Sequence, residues 1–461
     1  MKLLDNKVAK KVLDEGLFVG ADFVDIYVEK NINQTISIKS SLVQDVQSGI
    51  DFGIGVRLIF GDQYLYAYSN SHLEKDLIKL VQLLAYQKKN PQSKNFQFNE
   101  QNILSYPHVG SLPSANYPLT EKVNKLLVLD SLCRRKSEQI KQVNIGMLER
   151  IQEVEIFNTD GLLAYERRPY FRINAQAIAQ DGQDQASGYQ APGVRGECSY
   201  LDVLDMDFIA TRIAEIATTN LKAPKAPAGD LPVVIDNGFG GVIFHEACGH
   251  LLETTSVQKK ASVFWNSMGE MIAHPCVNAF DDGTNNDLWG SISIDDEGMP
   301  TQKTQLIKDG KLVSFLVDKI GSIKTGFART GSGRKQNYKF APASRMRNTY
   351  IDAGPYTLNQ IIESVDYGIY AKSMGGGSVS PGTGEFNFAV EEGFIIKNGK
   401  IQNPVKGATL IGKGEEILKN ISMVANNLTF AAGMCGSVSG HVPTTVGQGA
   451  LKVDKIRVGG N

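Results

Sequence analysis

Glycine placement restricts this chain more than any other sequence feature. Of 461 residues 46 are glycine, about 10% against an average near 7%. Only 14 fall in residues 1–230, and 32 fall in residues 231–461. They follow no three-residue period, so a collagen-like fold is excluded. They are interleaved with strand-like apolar residues, which speaks against disorder. The second half must therefore contain many turns, bulges or close backbone approaches. Charge adds little direction: 48 basic against 49 acidic residues leave a net −1, with no global field for nucleic acid or an anionic membrane.

The first half reads as helices and alternating strands. Residues 5–19 carry Val8, Val12 and Leu13 at helical spacing. Val24, Ile26 and Val28 mark one strand, Ile36 and Ile38 a second, and Phe52 to Phe60 a third, followed by Tyr64, Tyr66 and Tyr68 after a turn. A helix is expected over 73–89 and a connector over 90–118, with Pro91, Pro107, Pro113 and Pro118. A second round has a helix at 119–136 and strands at 139–158 and 162–180 around Asn158–Gly161. A polar loop at 181–197 and a helix at 202–221 close it. The Ala/Pro/Lys stretch 221–230 marks the main boundary. The expectation is an α+β protein. Residues 1–225 form an N-terminal region with an antiparallel sheet and helices, in sub-sections of about 1–90 and 119–221. Residues 231–461 form a curved, barrel-like β-rich domain whose first helix, from Val242 to about Leu252, carries the chemistry. Residues 414–426 read as the one other clear helix of that half.

The five cysteines, Cys133, Cys198, Cys248, Cys276 and Cys435, are odd in number and scattered. That disfavours a disulfide framework and fits a reducing cytoplasm. The first 18 residues carry charges through any signal-like core, and no run of 18 apolar residues occurs, so neither export nor a membrane span is expected.

The chemistry concentrates in His245-Glu246-Ala247-Cys248-Gly249-His250, which holds two of the six histidines. Two imidazoles for a metal and a carboxylate to take a proton from water are the ingredients of a zinc hydrolase. In the familiar HExxH pattern the histidines stand about 40° apart around a helix; at i and i+5 they stand about 140° apart. The motif therefore needs a deformed helix. A π-type turn at Gly249 is the expected deformation. A third protein ligand is also needed, and Glu253, Cys248, Cys276, His274, Cys435 and His441 are all candidates by residue type.

The hexapeptide resembles the HExxxH motif of the TldD/PmbA family of metallopeptidases. Further blocks are similar in the same order: Gly331-Ser332-Gly333-Arg334 with Arg345-Met346-Arg347-Asn348-Thr349-Tyr350, then Pro381-Gly382-Thr383-Gly384-Glu385-Phe386, then Pro404–Gly412 and Met434-Cys435-Gly436. The resemblance implies one zinc ion per chain held by His245, His250 and Cys435, with Glu246 as general base. It implies the metal-bearing, TldD-like type, working as a homodimer or as a heterodimer with a metal-lacking PmbA-like relative. It also implies cleavage of peptides or extended polypeptide segments in the cytoplasm. His441 has no counterpart in the pattern and is expected on the surface.

Substrate contacts are less defined. Gly375 and Gly376, in a run of three glycines, would let a peptide backbone come close. Arg345 would either clamp a peptide carboxylate or serve a structural ion pair. Gly407–Lys413 begins like a phosphate loop but lacks the closing Ser or Thr. Asp281-Asp282-Gly283 and Asp295–Gly298 lack the spacing of a calcium loop and read as solvated turns. The rival reading is a regulatory or assembly protein whose metal is structural and which acts through a partner chain. Glu246 separates the two, because a structural ion needs no base beside it.

Overall fold

The computed structural model describes residues 2–86, 102–106, 110–112 and 116–460. Its N-terminal sheet runs in the order Gln63–Ser69, Leu42–Phe60, Phe23–Lys39, Ile140–Asn158, Leu162–Asp181 and Asn102–Tyr106. Val24 to Val28 and Ile36 to Ile38, expected as two strands, belong to the single strand Phe23–Lys39, which pairs along its length with Ile140–Asn158. The expected loop at 181–197 is instead largely sheet: Asp184–Gln190 and Gly193–Val194 both pair with Leu162–Asp181. Part of the expected connector is sheet as well. Asn102–Tyr106 lies parallel to residues 162–166, while 87–101, 107–109 and 113–115 lie outside the described residues.

Four longer helices cover this sheet. Asn6–Phe18 starts at Asp5, whose carboxylate accepts from Lys7 N at 2.7 Å. It buries Ala9, Val12, Leu13 and Leu17, the stripe that helical spacing predicts. Glu74–Tyr86 packs with it, and Leu119–Lys136 and Met206–Lys222 cover the far end, where Val143, Ile145, Met147, Ile173 and Ala175 point at them. Alternation turns the intervening residues to the opposite face. That face carries Gln142, Asn144, Asn174 and Gln176.

In the second half five strands close on themselves: Tyr367–Ser380, Gly229–Ile235, Leu451–Gly460, Ala408–Lys413 and Glu385–Lys397, the last pairing back to the first. This is the expected barrel. The phosphate-loop look-alike is one of its strands. A second sheet has the order Lys311–Leu312, Lys303–Lys308, Ala279–Asp282, Asn348–Ile351, Gly440–Gln448 and Thr429–Ser437. Helix Gly414–Asn420 ends sooner than expected and gives way to strand Ile421–Val424; helices Lys319–Thr325 and Leu358–Glu363 interrupt the β structure as well. One apolar core joins barrel strands, the second sheet and the segment after residue 241, through Ile243, Phe244, Ala247 and Leu251.

Two acidic turns depart from expectation. Asp281, Asp295, Asp296 and Glu297 are buried, not solvated. Asp281 accepts from Arg347 N and Nε, both at 2.7 Å. Glu297 pairs with Arg57 at 2.7 Å, and Asp296 with Arg168 at 2.6 Å. Arg57 and Arg168 belong to the N-terminal sheet, so the turn Asp295–Gly298 fastens the two halves together with paired charges removed from water, whereas Asp281 is paired within the second half. Breaking one such pair leaves an uncompensated buried charge, which costs about 3–5 kcal/mol.

Candidate metal centre

The motif is held by a helix that stops inside it. The α-helix Val242–Ala247 presents His245 and Glu246. Cys248 then breaks the helix at φ −137°, ψ −52°, and Gly249–Leu252 continues as a 3₁₀ turn bearing His250. The expected π-type turn is therefore replaced by a break and a tighter turn, which brings the two rings to one side with centroids 5.0 Å apart. Gly249 is not in the left-handed region. Its role is space: a Cβ there would lie 2.1 Å from Met346 Sδ. Gly414 likewise lets its helix sit against Ala247, whose carbonyl oxygen would be 1.9 Å from a Cβ.

The third arm comes from the strand Thr429–Ser437. Cys435 Sγ lies 3.2 Å from His245 Nε2 and 3.3 Å from His250 Nε2. Among the described residues these three are the cluster whose candidate ligand atoms all fall within 4.8 Å of one another. Of the other candidates, Cys248 is buried in the apolar core. His274 and Cys276 pair with each other at 3.1 Å, and the Cys276 thiol also donates to Ile421 O. His441 stands exposed opposite Gly436 and stays out of the cluster. Glu253 turns out to be a support. Its Oε2 is 3.2 Å from His250 Nδ1 and its Oε1 is 3.7 Å from Arg345 Nε.

Arg345 is fully buried and committed to the protein. It donates to Cys435 O at 2.6 Å, to Gly440 O at 2.7 Å and to Ser439 Oγ at 3.1 Å. Of its two expected roles the geometry supports the structural ion pair, because its donors are turned to the protein and not to the cleft. Arg345 and Glu253 thus tie the cysteine strand to the second histidine. Sequence reading missed this pairing, although a glutamate three residues after His250 was a local signal for it.

The electrostatics suit a cation. Burial resists ionising the Cys435 thiol, yet the two imidazoles beside it hold its pKa well below the usual thiol range. Burial also disfavours a charged His250, but Glu253 and Cys435 raise its pKa well above the usual imidazole value. The set is thus a thiolate with at least one proton that a metal would displace. Burial raises the pKa of Glu246, against the lowering effect of His245 and His250. The donors also fit zinc by distance. Tetrahedral bonds of about 2.0–2.1 Å to nitrogen and 2.3 Å to sulfur set N···S separations of roughly 3.5 Å, close to the 3.2 and 3.3 Å found.

Glu246, His250 and Cys435 open onto a cleft of about 590 Å³, bounded by Lys259, Val379, Pro381, Met434 and Val438. Gly377 lines it; Gly375 and Gly376 stand just outside, where pairing with Glu385–Lys397 slips between Met374 and Gly377. A larger groove of about 980 Å³, along Ile411 and Arg457 on the barrel, shares only Ser378 and Val379 with this cleft and holds none of the three clustered residues.

Comparison with known proteins agrees along the chain. Three family models match: PmbA/TldA metallopeptidase domain 1 at residues 24–85, the central domain at 112–221 and the C-terminal domain at 228–460. A metalloprotease TldD homolog of Haemophilus influenzae is 36% identical over 450 residues, covering 95% of this chain and 93% of its own. A TldD homolog of Buchnera aphidicola is 31% identical, with the same coverage of 95% and 93%. Among solved structures, a proposed modulator of DNA gyrase from Thermotoga maritima superposes with a TM-score of 0.80 at 18% identity, over 98% of this chain and all of the other. TldE of Thermococcus kodakarensis gives 0.75 at 18%, over 98% and 99%. At such identities the last two speak for the fold alone. No helix among the described residues is long and apolar enough to cross a membrane. On these sequence matches, the chain belongs to the PmbA/TldD family of metallopeptidases.

Proposed function

We propose that this metalloprotease uses one zinc ion, held by His245, His250 and Cys435, to cleave peptides or extended polypeptide segments, with Glu246 as general base. The observation that carries this reading is the placement of Glu246: its Oε2 is 3.8 Å from His250 Nε2, at the cleft and beside the three clustered donors. Zinc bound there supplies Lewis acidity and a water of near-neutral pKa. Glu246 takes up the proton of the attacking water and returns it to the departing amine. Glu253 fixes the ring of His250, and Arg345 fixes the carbonyl of Cys435, so both act as positioning residues.

Substrate shape follows from the cleft walls. Thr429–Ser437 is the last strand of its sheet, and its residues from Met434 to Ser437 form one wall of the cleft. Across the cleft, Gly377 and the neighbouring Gly375 and Gly376 keep side chains away from an approaching backbone. The partner in this proposal is a second copy or a metal-lacking relative, TldE being one of the structural neighbours, and the setting is cytoplasmic. A regulatory protein with a merely structural ion would have no use for a carboxylate at the cleft beside the ligands.

Glu246→Gln is expected to keep zinc at one per chain by elemental analysis and to lose chelator-sensitive cleavage of an unfolded polypeptide. Full activity of that variant would sink the proposal. Cys435→Ser is expected to lose zinc on dialysis, and unchanged metal content would remove Cys435 from the ligand set.

A further inference from the structure

The face of the N-terminal sheet turned away from helices Leu119–Lys136 and Met206–Lys222 is unusual in its chemistry. Register places Ser37, Gly146 and Asn174 in one row across three strands, and Lys39, Asn144, Gln176 and Tyr189 in the next across four. These residues line a groove of about 430 Å³ together with Gln142 and Gln44. Solvent-facing sheet surfaces usually alternate charged side chains, yet Lys39 is the single charged residue of this groove. Its amides are hydrogen-bonded in a chain of three and a separate pair. Gln142 Nε2 donates to Asn144 Oδ1 at 2.9 Å, Asn144 Nδ2 to Gln176 Oε1 at 3.0 Å, and Tyr189 Oη to Asn174 Oδ1 at 3.1 Å. Each side-chain amide has two N–H groups and two lone pairs. These bonds use only part of that capacity, and the residues that carry the remainder line the groove. Gly146 leaves the middle of the floor without a side chain.

The same face leads to the metal centre. Two residues from Asn174, Arg172 donates to Ala432 O at 3.4 Å and stacks over Trp289, 5.6 Å from its ring centroid. Trp289 Nε1 in turn donates to Gly433 O at 2.8 Å. Ala432 and Gly433 are on the strand that carries Cys435, so Arg172, Gly193 and Trp289 link the amide face to the cysteine strand.

We propose that this amide face is a binding track for extended polypeptide, which holds substrate segments beyond those in the metal cleft. The proposal rests on the peptidase reading for its occupant. Side-chain amides match the alternating N–H and C=O groups of a main chain, and their lack of charge fits recognition of backbone over sequence. Four strands about 4.8 Å apart span roughly 15 Å, the length of about four or five extended residues.

The test measures binding, in zinc-loaded protein carrying Glu246→Gln, by fluorescence anisotropy with labelled unstructured peptides of about thirty and about six residues. Asn144→Ala with Gln176→Ala is expected to weaken the long peptide about tenfold, the effect of two or three lost hydrogen bonds, and so to lower the long-to-short affinity ratio about tenfold. Asn144→Asp with Gln176→Glu, which keeps side-chain size, is expected to lower the ratio as well, most for an acidic peptide. An unchanged ratio, or equal losses at both lengths, overturns the proposal. So does tighter binding of maltohexaose than of the long peptide, or altered sedimentation of the variants with peptide affinity intact, which would assign the face to sugar or to a second copy. Because the readout is binding, a parent enzyme that cuts no peptide would sink the peptidase reading while leaving this result interpretable.

Discussion

Substituting Gly249 by alanine tests whether the metal motif is shaped by packing. The added Cβ would sit 2.1 Å from Met346 Sδ and 3.1 Å from its Cε. Ordinary contacts begin near 3.5 Å, so either Met346 or the segment 248–250 has to move by roughly 1.5 Å. Met346 has little room, being 0% exposed. Its flanking residues are anchored: Arg345 through Cys435 O and Gly440 O, and Arg347 through Asp281. Over-packing of this kind costs about 1–3 kcal/mol, which for a domain of this size lowers Tm on the order of 5 °C. Since His250 follows directly, affinity for the proposed zinc should fall too. The assay is calorimetry of Gly249→Ala, Met346→Ala and the double variant, each with zinc and with chelator. The double variant is expected to be more stable than the two single losses added together, because truncating Met346 vacates the space that the new methyl group at position 249 needs. A Tm for Gly249→Ala equal to the parent's, or strictly additive losses, would refute the close-approach argument.

Three further outcomes are expected. If His250 holds zinc as proposed, Glu253→Gln should retain fold and cleft but weaken zinc roughly 10–100-fold in a competitive chelator titration, as losing a ligand's carboxylate support does. Arg345→Met should destabilise the protein by about 3–5 kcal/mol in urea unfolding, because Glu253 is left buried without its counter-charge. Glu391 supplies a pH test away from the metal. Burial raises its pKa from 4.5 to about 7, so the folded state favours the protonated form. Its contribution to stability is therefore fully present below about pH 4.5 and is lost as pH rises through about 7. Glu391→Gln should gain Tm over the parent between about pH 5 and 7 and level off above that, and a constant difference over that range would contradict the burial argument.

What the sequence made legible divides along physical lines. Helix Leu119–Lys136 was readable to the residue because its apolar spacing is local. The strand Asp184–Gln190 was not, because neither face of a sequence like DQASGYQ shows an apolar stripe; its place in the sheet comes from pairing with Leu162–Asp181. The buried acids were misread for a related reason. Asp281 depends on Arg347 and Glu297 on Arg57, partners 66 and 240 residues away, and an acidic turn without its arginine looks like any solvated turn. The metal motif was legible as an ingredient list. The cysteine that the fold brings beside it was not, since Cys435 is 190 residues from His245 and spacing alone gives no preference among cysteines; family resemblance singled out Cys435 as the expected third ligand.

The glycine imbalance shows the same limit from the other side. It predicted unusual backbone in the second half without saying of which kind. At the metal helix the answer is contact distance. Gly241, Gly249 and Gly414 all lie outside the left-handed region, and a Cβ at any of them would strike the Gly447 backbone, Met346 or the Ala247 carbonyl within 2.5 Å. These contacts seat a six-residue helix tightly between a barrel strand, the second sheet and the helix after Lys413. A helix that short does not hold its shape alone. The glycines let its neighbours hold it, and that is what allows the chain to break at Cys248 and turn His250 toward His245 and Cys435.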